Sequence, residues 1–193
     1  MAHIRLGFAL CGSFCTYGQV LPALARAVER YGDVTPILSE KSAGTDSRFG
    51  RAADFIREIE QICGRPVLAT IPQVEPIGPK KLLDALAIAP CTGSTLARLA
   101  HGFSDTAVSM AAKSMWRNGR PVVLAVSTND GLAGSAKNIG LLMEKKHVYF
   151  VPYRQDAPEE KPTSLVADFG RIGDTVDAAL EGRQLQPVLL GPA

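Results

Sequence analysis

Residues 82–102, LLDALAIAPCTGSTLARLAHG, decide how the rest of the chain is read. An apolar run closes at Pro90 and a turn of small residues follows. Leu96, Leu99, Ala100 and Phe103 then recur at helical spacing. A strand that is apolar throughout, rather than at alternate positions, is one covered on both faces. Passing from such a strand to a helix requires one turn residue and one N-cap. Here Cys91, Thr92, Gly93, Ser94 and Thr95 stand in a row.

The same construction recurs along the chain. Apolar runs of strand length occur at 4–11 (IRLGFALC), 34–39 (VTPILS), 121–127 (PVVLAVS) and 147–152 (HVYFVP), with RPVLA at 65–69 a sixth candidate. Helical stripes lie between them. Leu21, Leu24, Val28 and Tyr31 stop at Gly32, and Phe49, Ala52, Ile56, Ile59 and Cys63 stop at Gly64. Ile139, Leu142 and Met143 mark another helix, and Phe169, Ile172, Val176 and Leu180 the last. Strands alternating with helices imply right-handed crossovers and a parallel sheet. The expected fold is α/β: a three-layer, doubly wound, Rossmann-like parallel sheet with helices on both faces, in one domain spanning 1–193. In such sheets ligands gather beyond the carboxyl ends of the strands, which is where CTGST falls.

Composition narrows the function classes. With 46% hydrophobic and 21% charged residues the chain resembles an ordinary globular protein with a sizeable core. A formal charge of +2, without a basic run interleaved with aromatics, gives no reason to expect nucleic acid. No apolar run approaches the ~18 residues of a membrane span. The first residues lack a basic segment followed by a long apolar one, so a cytoplasmic location is expected. Cys11, Cys15, Cys63 and Cys91 are then free thiols. Their spacing, and that of His3, His101 and His147, builds no metal set. The Pro-rich stretch 71–80 and the charged stretch 154–164 read as loops, and both are candidate contact surfaces for a partner. The tail 185–193 reads as a short extended segment.

Polar groups follow strand after strand. The first run ends in CGSFCTYG, where Gly12 permits a tight turn and Ser13 precedes a helix start whose free N–H groups favour an anion. Ser13 also reads as a plain N-cap. The stretch is neither GxGxxG nor a P-loop. Ser39 sits where the second run meets its loop, and Arg48 opens the next helix with Asp46 or Ser47 as its cap. After the third run, Thr92, Gly93, Ser94 and Thr95 exceed what capping needs. The fourth ends in STND, where Asn129 is a candidate substrate contact and also part of an ordinary turn. Lys113 is a second candidate, able to neutralise a carboxylate, and equally a surface lysine.

ALCGSFCTY, TDSRFG, EPIGPK and the long stretch around RNGRPVVLAVSTNDGL carry a resemblance that runs from about residue 4 to 190. The chain resembles the flavoprotein family of homo-oligomeric, flavin-containing cysteine decarboxylases, which also includes phosphopantothenoylcysteine decarboxylase and flavin prenyltransferases. Within it, the stretch resembles a branch of B subunits from two-component synthases that make pyridine-2,6-dicarboxylate in sporulating bacteria. The resemblance implies FMN held by Gly12 and Ser13, by Ser39, and by Pro90, Cys91, Thr92, Gly93, Ser94 and Thr95. Ser94 replaces the family's Asn, and Thr128 replaces a Met before Asn129. The decarboxylases' catalytic His lies upstream of the third motif, yet residues 65–89 contain none. That leaves no residue marked as catalytic. The resemblance further implies a homo-oligomer in the mother-cell cytoplasm and a dehydrogenase-like A subunit carrying NADP. The substrate implied is a dihydro- or hydroxytetrahydro-dicarboxylate, oxidised to the aromatic product. A stand-alone FMN-dependent decarboxylase or prenyltransferase, and a non-catalytic assembly subunit keeping a relic pocket, are the alternatives.

Overall fold

A computed structural model describes residues 3–191. In chain order the elements are β1 (Arg5–Leu10), α1 (Tyr17–Tyr31), β2 (Asp33–Leu38), α2 (Glu40–Gly44), α3 (Ala52–Cys63), α4 (Ile71–Val74), β3 (Ala85–Cys91) and α5 (Gly93–His101). Then come α6 (Ala107–Arg117), β4 (Val122–Thr128), α7 (Ala136–Met143), β5 (Val148–Phe150), β6 (Tyr153–Arg154), β7 (Leu165–Ala167) and α8 (Ile172–Leu180).

Every residue of β3 is buried, as its unbroken apolar run requires. β3 lies between β1 and β4, parallel to both. β2 extends the sheet beyond β1 and β5 beyond β4, again in parallel, giving the order β2-β1-β3-β4-β5. The chain winds outward from β1 to β2, then crosses back to β3. The direction of winding therefore reverses between β1 and β3, and the crevice at their carboxyl ends is the fold's ligand position. Helices α1 and α8 pack together over one side of the sheet, and α6, with α4 and α5 along it, covers β3 and β4 as the other layer. The α1 and α3 stripes end where expected, at Gly32 (φ 73°) and Gly64 (φ 65°), left-handed positions that suit glycine.

Several elements differ from the sequence reading. RPVLA makes a single bridge, Leu68 to Ile37, and no strand. The Pro-rich 71–80 stretch is partly helical: Thr70 and Gln73 form a capping box at the start of α4, and a 3₁₀ turn follows. α6 is a helix missing from the sequence reading: Val108, Ala111, Ala112 and Met115 form a buried stripe at helical spacing, but its alanines and the buried Ser109 and Ser114 beside it make that stripe weakly apolar. The sheet is also not wholly parallel. β7 pairs antiparallel with the last two residues of β4, through Ser127–Val166 and Thr128–Leu165, and β6 pairs antiparallel with β7. The 154–164 stretch is the connection between those two short strands. In the tail, Leu189 bridges to Tyr153, and its last two residues lie outside those described. Among the described residues, no helix is long and apolar enough to cross a membrane.

At the amino ends of the strands, Arg5 holds the register. Its Nε and backbone N–H both donate to Asp84 Oδ2 at 3.0 Å, and Nη2 donates to Oδ1 at 2.9 Å. Arg120 approaches the same carboxylate at 3.5 Å. The Arg5 hydrogen bond, aided by Coulombic attraction, holds the Asp84 carboxyl below its usual range, although partial burial opposes this. The native value is depressed, so this stabilisation is complete above the usual value of 3.8 and is lost as pH falls through the lower native one. Asp84→Asn is expected to cost about 1–2 kcal/mol at neutral pH, discounted for Arg5's partial exposure. In urea unfolding, the gap between variant and parent should close as pH falls below that range. A gap that stays constant with pH would show that the charge is not what matters.

Candidate functional site

Three turns converge beyond the carboxyl ends of β1, β3 and β4, and with Arg48, Phe49 and the 154–164 connection they enclose an open cleft of about 740 Å³. That volume lies within the range of about 300–1,000 Å³ typical of small-molecule and cofactor sites.

The first turn leaves β1 at Cys11, whose thiol is buried and pushed up to about 11 by that burial. Ser13 accepts two hydrogen bonds at its carbonyl from Thr16, through N–H at 3.0 Å and Oγ1 at 2.8 Å. Its own hydroxyl is shared with Ser127 Oγ at 3.0 Å, which ties the first turn to the end of β4. Ser13 therefore caps no helix with its side chain. Cys15 is exposed on the cleft wall, its Sγ 3.7 Å from Ser13 Oγ.

The third turn leaves β3 at Pro90 and Cys91 and runs into α5. Pro90 cannot donate to the ladder, and the β3–β4 register shifts between Ile88 and Cys91, as a bulge permits. Cys91 is fully buried, its thiol pushed up by burial. Thr92 is the cap of α5, accepting Thr95 N–H at 3.4 Å. Thr95 turns inward, and its Oγ1 donates to Cys11 Sγ at 3.2 Å. Ser94 is exposed and faces the cleft. Gly93 has no room for a side chain: a Cβ there would lie 2.6 Å from Ser135 Oγ, 2.8 Å from Thr128 Oγ1 and 2.9 Å from Asp130 Oδ1.

Those three atoms belong to one knot. Asp130 Oδ1 accepts from Thr128 at 2.5 Å, and both its oxygens accept from Ser135, at 2.9 and 3.0 Å. The Thr128 and Ser135 hydrogen bonds hold the Asp130 carboxyl below its usual range. The knot fastens the turn after β4 and the entry to α7 against α5. Asn129 is exposed beside it, on the cleft, and its carbonyl accepts from Thr163 at 2.6 Å. The charged connection contributes Asp156 and Lys161, which pair at 3.4 Å, together with Ser164. Arg48 lines the opposite side, stacked on Phe49 at 4.8 Å, without a carboxylate partner among the described residues.

Of the residues singled out from sequence, Gly12, Ser13, Thr92, Gly93, Ser94 and Asn129 line this cleft together. Pro90, Cys91 and Thr95 stand behind it as buried framework. Ser39 is the N-cap of α2, accepting Ser42 N–H at 3.2 Å, and does not line the cleft. Lys113 is on the exposed side of α6, donating to Ser104 at 3.3 Å, and is likewise outside the lining. Arg48 does not open α3, which starts at Ala52; Asp46 Oδ1 accepts the Ala52 N–H at 2.9 Å, leaving Arg48 on the preceding turn. Ser135, Asn138, Lys161 and Ser164 entered the lining without a sequence signal of their own. They reach it through the antiparallel β7 and the approach of α7 to α5.

Residues 1–179 match the family model described as Flavoprotein. The chain belongs to the flavoprotein family. The B subunit of dipicolinate synthase from Bacillus subtilis (strain 168) is 41% identical over 186 residues, covering 96% of this chain and 93% of that one. The crystal structure of the dipicolinate synthase B subunit from Bacillus halodurans superposes with a TM-score of 0.90 at 44% identity, covering 100% of this chain and 98% of that one. More distant flavoproteins share the fold. The FMN-dependent cysteine decarboxylase SpaF has a TM-score of 0.67 at 20% identity, covering 94% of this chain and 98% of its own.

The side chains of the third turn are separable by substitution. Thr92→Ala removes the α5 cap and is expected to lower stability by about 0.5–2 kcal/mol. Gly93→Ala forces a methyl group into the Asp130 knot and is expected to cost about 1–3 kcal/mol. Ser94→Ala removes no bond within the protein and should stay within about 0.5 kcal/mol of the parent. Urea unfolding of the three variants checks this order; a Ser94→Ala loss equal to that of Thr92→Ala would refute it.

Proposed function

We propose that this chain is the B subunit of a dipicolinate synthase, holding FMN in the cleft between the β1, β3 and β4 turns. It works with a dehydrogenase-like A subunit, which carries NADP, to oxidise a dihydro- or hydroxytetrahydro-dipicolinate precursor to pyridine-2,6-dicarboxylate. It does so as a homo-oligomer in the mother-cell cytoplasm of a sporulating bacterium. The observation that carries the reading is the 41% identity to the Bacillus subtilis protein, which extends over nearly the full length of both chains.

The cleft residues fit a flavin. Ser94 stands exposed on the cleft in the first turn of α5, where the helix's N–H groups and dipole favour an anionic or carbonyl oxygen. Gly12 leaves an open stretch of backbone, since a Cβ there would find only the Phe14 ring, at 3.7 Å. Ser13, Ser94 and Asn129 would supply hydrogen bonds to the ring or its phosphate. A flavin, when bound, supplies a two-electron acceptor for the hydride that the precursor loses along with a proton. Arg48, which has no carboxylate partner among the described residues, suits a substrate carboxylate at the mouth of the cleft. Burial pushes the thiols of Cys11 and Cys91 up, and both serve as packing. Stand-alone cysteine decarboxylation is disfavoured by the absence of any His in residues 65–89.

Reconstitution tests the reading. The purified A component, NADP and the precursor are assayed for pyridine-2,6-dicarboxylate with and without this chain, loaded with FMN. The expected result is product formation that depends on the chain and falls at least tenfold in its absence. Equal rates when the A component works by itself would overturn the catalytic role. Gly12→Ala, which the fold accommodates, should weaken FMN binding with little change in unfolding midpoint; unchanged FMN affinity would place the cofactor elsewhere.

A further inference from the structure

Arg48 and Phe49 stand at the tip of a turn between α2 and α3, and both line the cleft. The turn is closed by its own backbone. Ser47 N–H donates to the Gly50 carbonyl at 3.0 Å, and Gly50 N–H donates to the Ser47 carbonyl at 3.1 Å. Ser47 Oγ also accepts the Phe49 N–H, at 3.2 Å. Gly50 has a φ of 151°, and a Cβ there would lie 2.9 Å from the Phe55 ring, so the base of the turn rests on Phe55. Phe55 packs edge-on against Tyr17, with 5.0 Å between ring centroids. Tyr17 lies 5.5 Å from Phe14, which lines the cleft. The tip is thereby fixed relative to the turn that leaves β1.

The charges lining the cleft differ in how far they are engaged. Lys161 pairs with Asp156 at 3.4 Å, and Asp130 accepts from Thr128 and Ser135. Arg48, the other cation of the lining, makes no ion pair and donates no hydrogen bond among the described residues. Its guanidinium carbon sits over the Phe49 ring, 4.8 Å from the centroid. An aromatic face attracts a cation through its quadrupole and uses up none of the N–H donors. Phe49 therefore restricts where the guanidinium lies and leaves its fork free for an anion.

We propose that the 47–50 turn is the carboxylate-recognition element of the cleft. Arg48 takes one carboxylate of the planar substrate as a bidentate pair, and Phe49 holds the guanidinium in position for it. The inference rests on the substrate reading given above and adds the pair of residues that sets its specificity. A carboxylate meets the guanidinium fork edge to edge, a match that an ammonium cannot make. The cofactor's phosphate is the rival anion, and the first turn of α5 already offers it N–H groups and a helix dipole. The precursor's carboxylates are borne rigidly on its ring, and Arg48 is the one unengaged cation they meet among the described residues of the cleft. Phe49 is a positioning residue, since it acts through Arg48.

Calorimetric titration of the full chain, with FMN in excess and in metal-free buffer, tests this with two probes. One is pyridine-2,6-dicarboxylate and the other is the uncharged pyridine-2,6-dicarboxamide. The parent should bind the dicarboxylate about tenfold more tightly than the diamide. Arg48→Gln should lose that preference, and Arg48→Lys should recover only part of it. Phe49→Leu should bind the dicarboxylate about two- to fivefold more weakly with its affinity for the diamide unchanged, and Phe49→Tyr should restore the parent's preference. Equal affinity of the parent for the two probes would overturn the proposal whether or not any variant folds. A Phe49→Leu chain that matches the parent, or that loses affinity for both probes alike, would overturn the positioning role. Titrating Arg48→Gln with FMN and with riboflavin separates the two anions: a loss confined to FMN would assign Arg48 to the cofactor phosphate and overturn the proposal as well. A parent chain that binds neither probe refutes the substrate reading itself, and the proposal with it. That outcome is recognised in the parent alone, before any variant is compared.

Discussion

Strand β3 passes through the middle of the sheet with none of its seven residues reaching water. That burial governs what the neighbouring segments do. A strand covered on both faces cannot carry a hydrogen-bonding side chain until it emerges, so polar groups collect at its exit. β1 and β4 flank it under the same restriction, and their exits lie at the same end. Three polar turns are thereby brought together by apolar strands. The Arg5–Asp84 clamp at the opposite end keeps β1 and β3 in step. A one-residue slip there would carry the Gly12 and Thr92 turns past each other.

The turns are then tied sideways by short hydrogen bonds. Ser13 meets Ser127, Thr95 meets Cys11, and Asp130 gathers Thr128 and Ser135 against Gly93. Few of these groups are available to a ligand, because each already serves a neighbour. What the cleft leaves unengaged is a shorter set: Ser94, the side chain of Asn129, the open backbone at Gly12 and Arg48 at the rim. Hydroxyl-rich turns of this kind divide their labour between scaffold and recognition, and residue type alone does not separate the two.

That division explains what the sequence could reveal. The parallel core was legible because its strands are continuously apolar and its two long stripes end in glycine. The α6 helix was less so, since its stripe of Val108, Ala111, Ala112 and Met115 is half alanine and is flanked by buried serines, which weakens the hydrophobic contrast. β6 and β7 are two and three residues long, too short for periodicity, and they exist only because the end of β4 offers them an edge. Their pairing draws Lys161 and Ser164 to the cleft. Thr92 and Ser94 were equal candidates from sequence; the helix axis makes one the cap and leaves the other exposed. Ser39 looked like a cleft residue because it follows a strand, but β2 is one position farther from the winding reversal.

The distribution of the thiols has a practical consequence. Cys11 and Cys91 are shut inside, and burial also pushes the half-buried Cys63 up to about 11. Cys15 alone stands exposed, and it does so on the wall of the cleft. Electrophiles such as maleimides should therefore modify the native molecule at that sulfur first. The chain carries a built-in chemical reporter, whose labelling rate registers whatever fills the space beside Ser13.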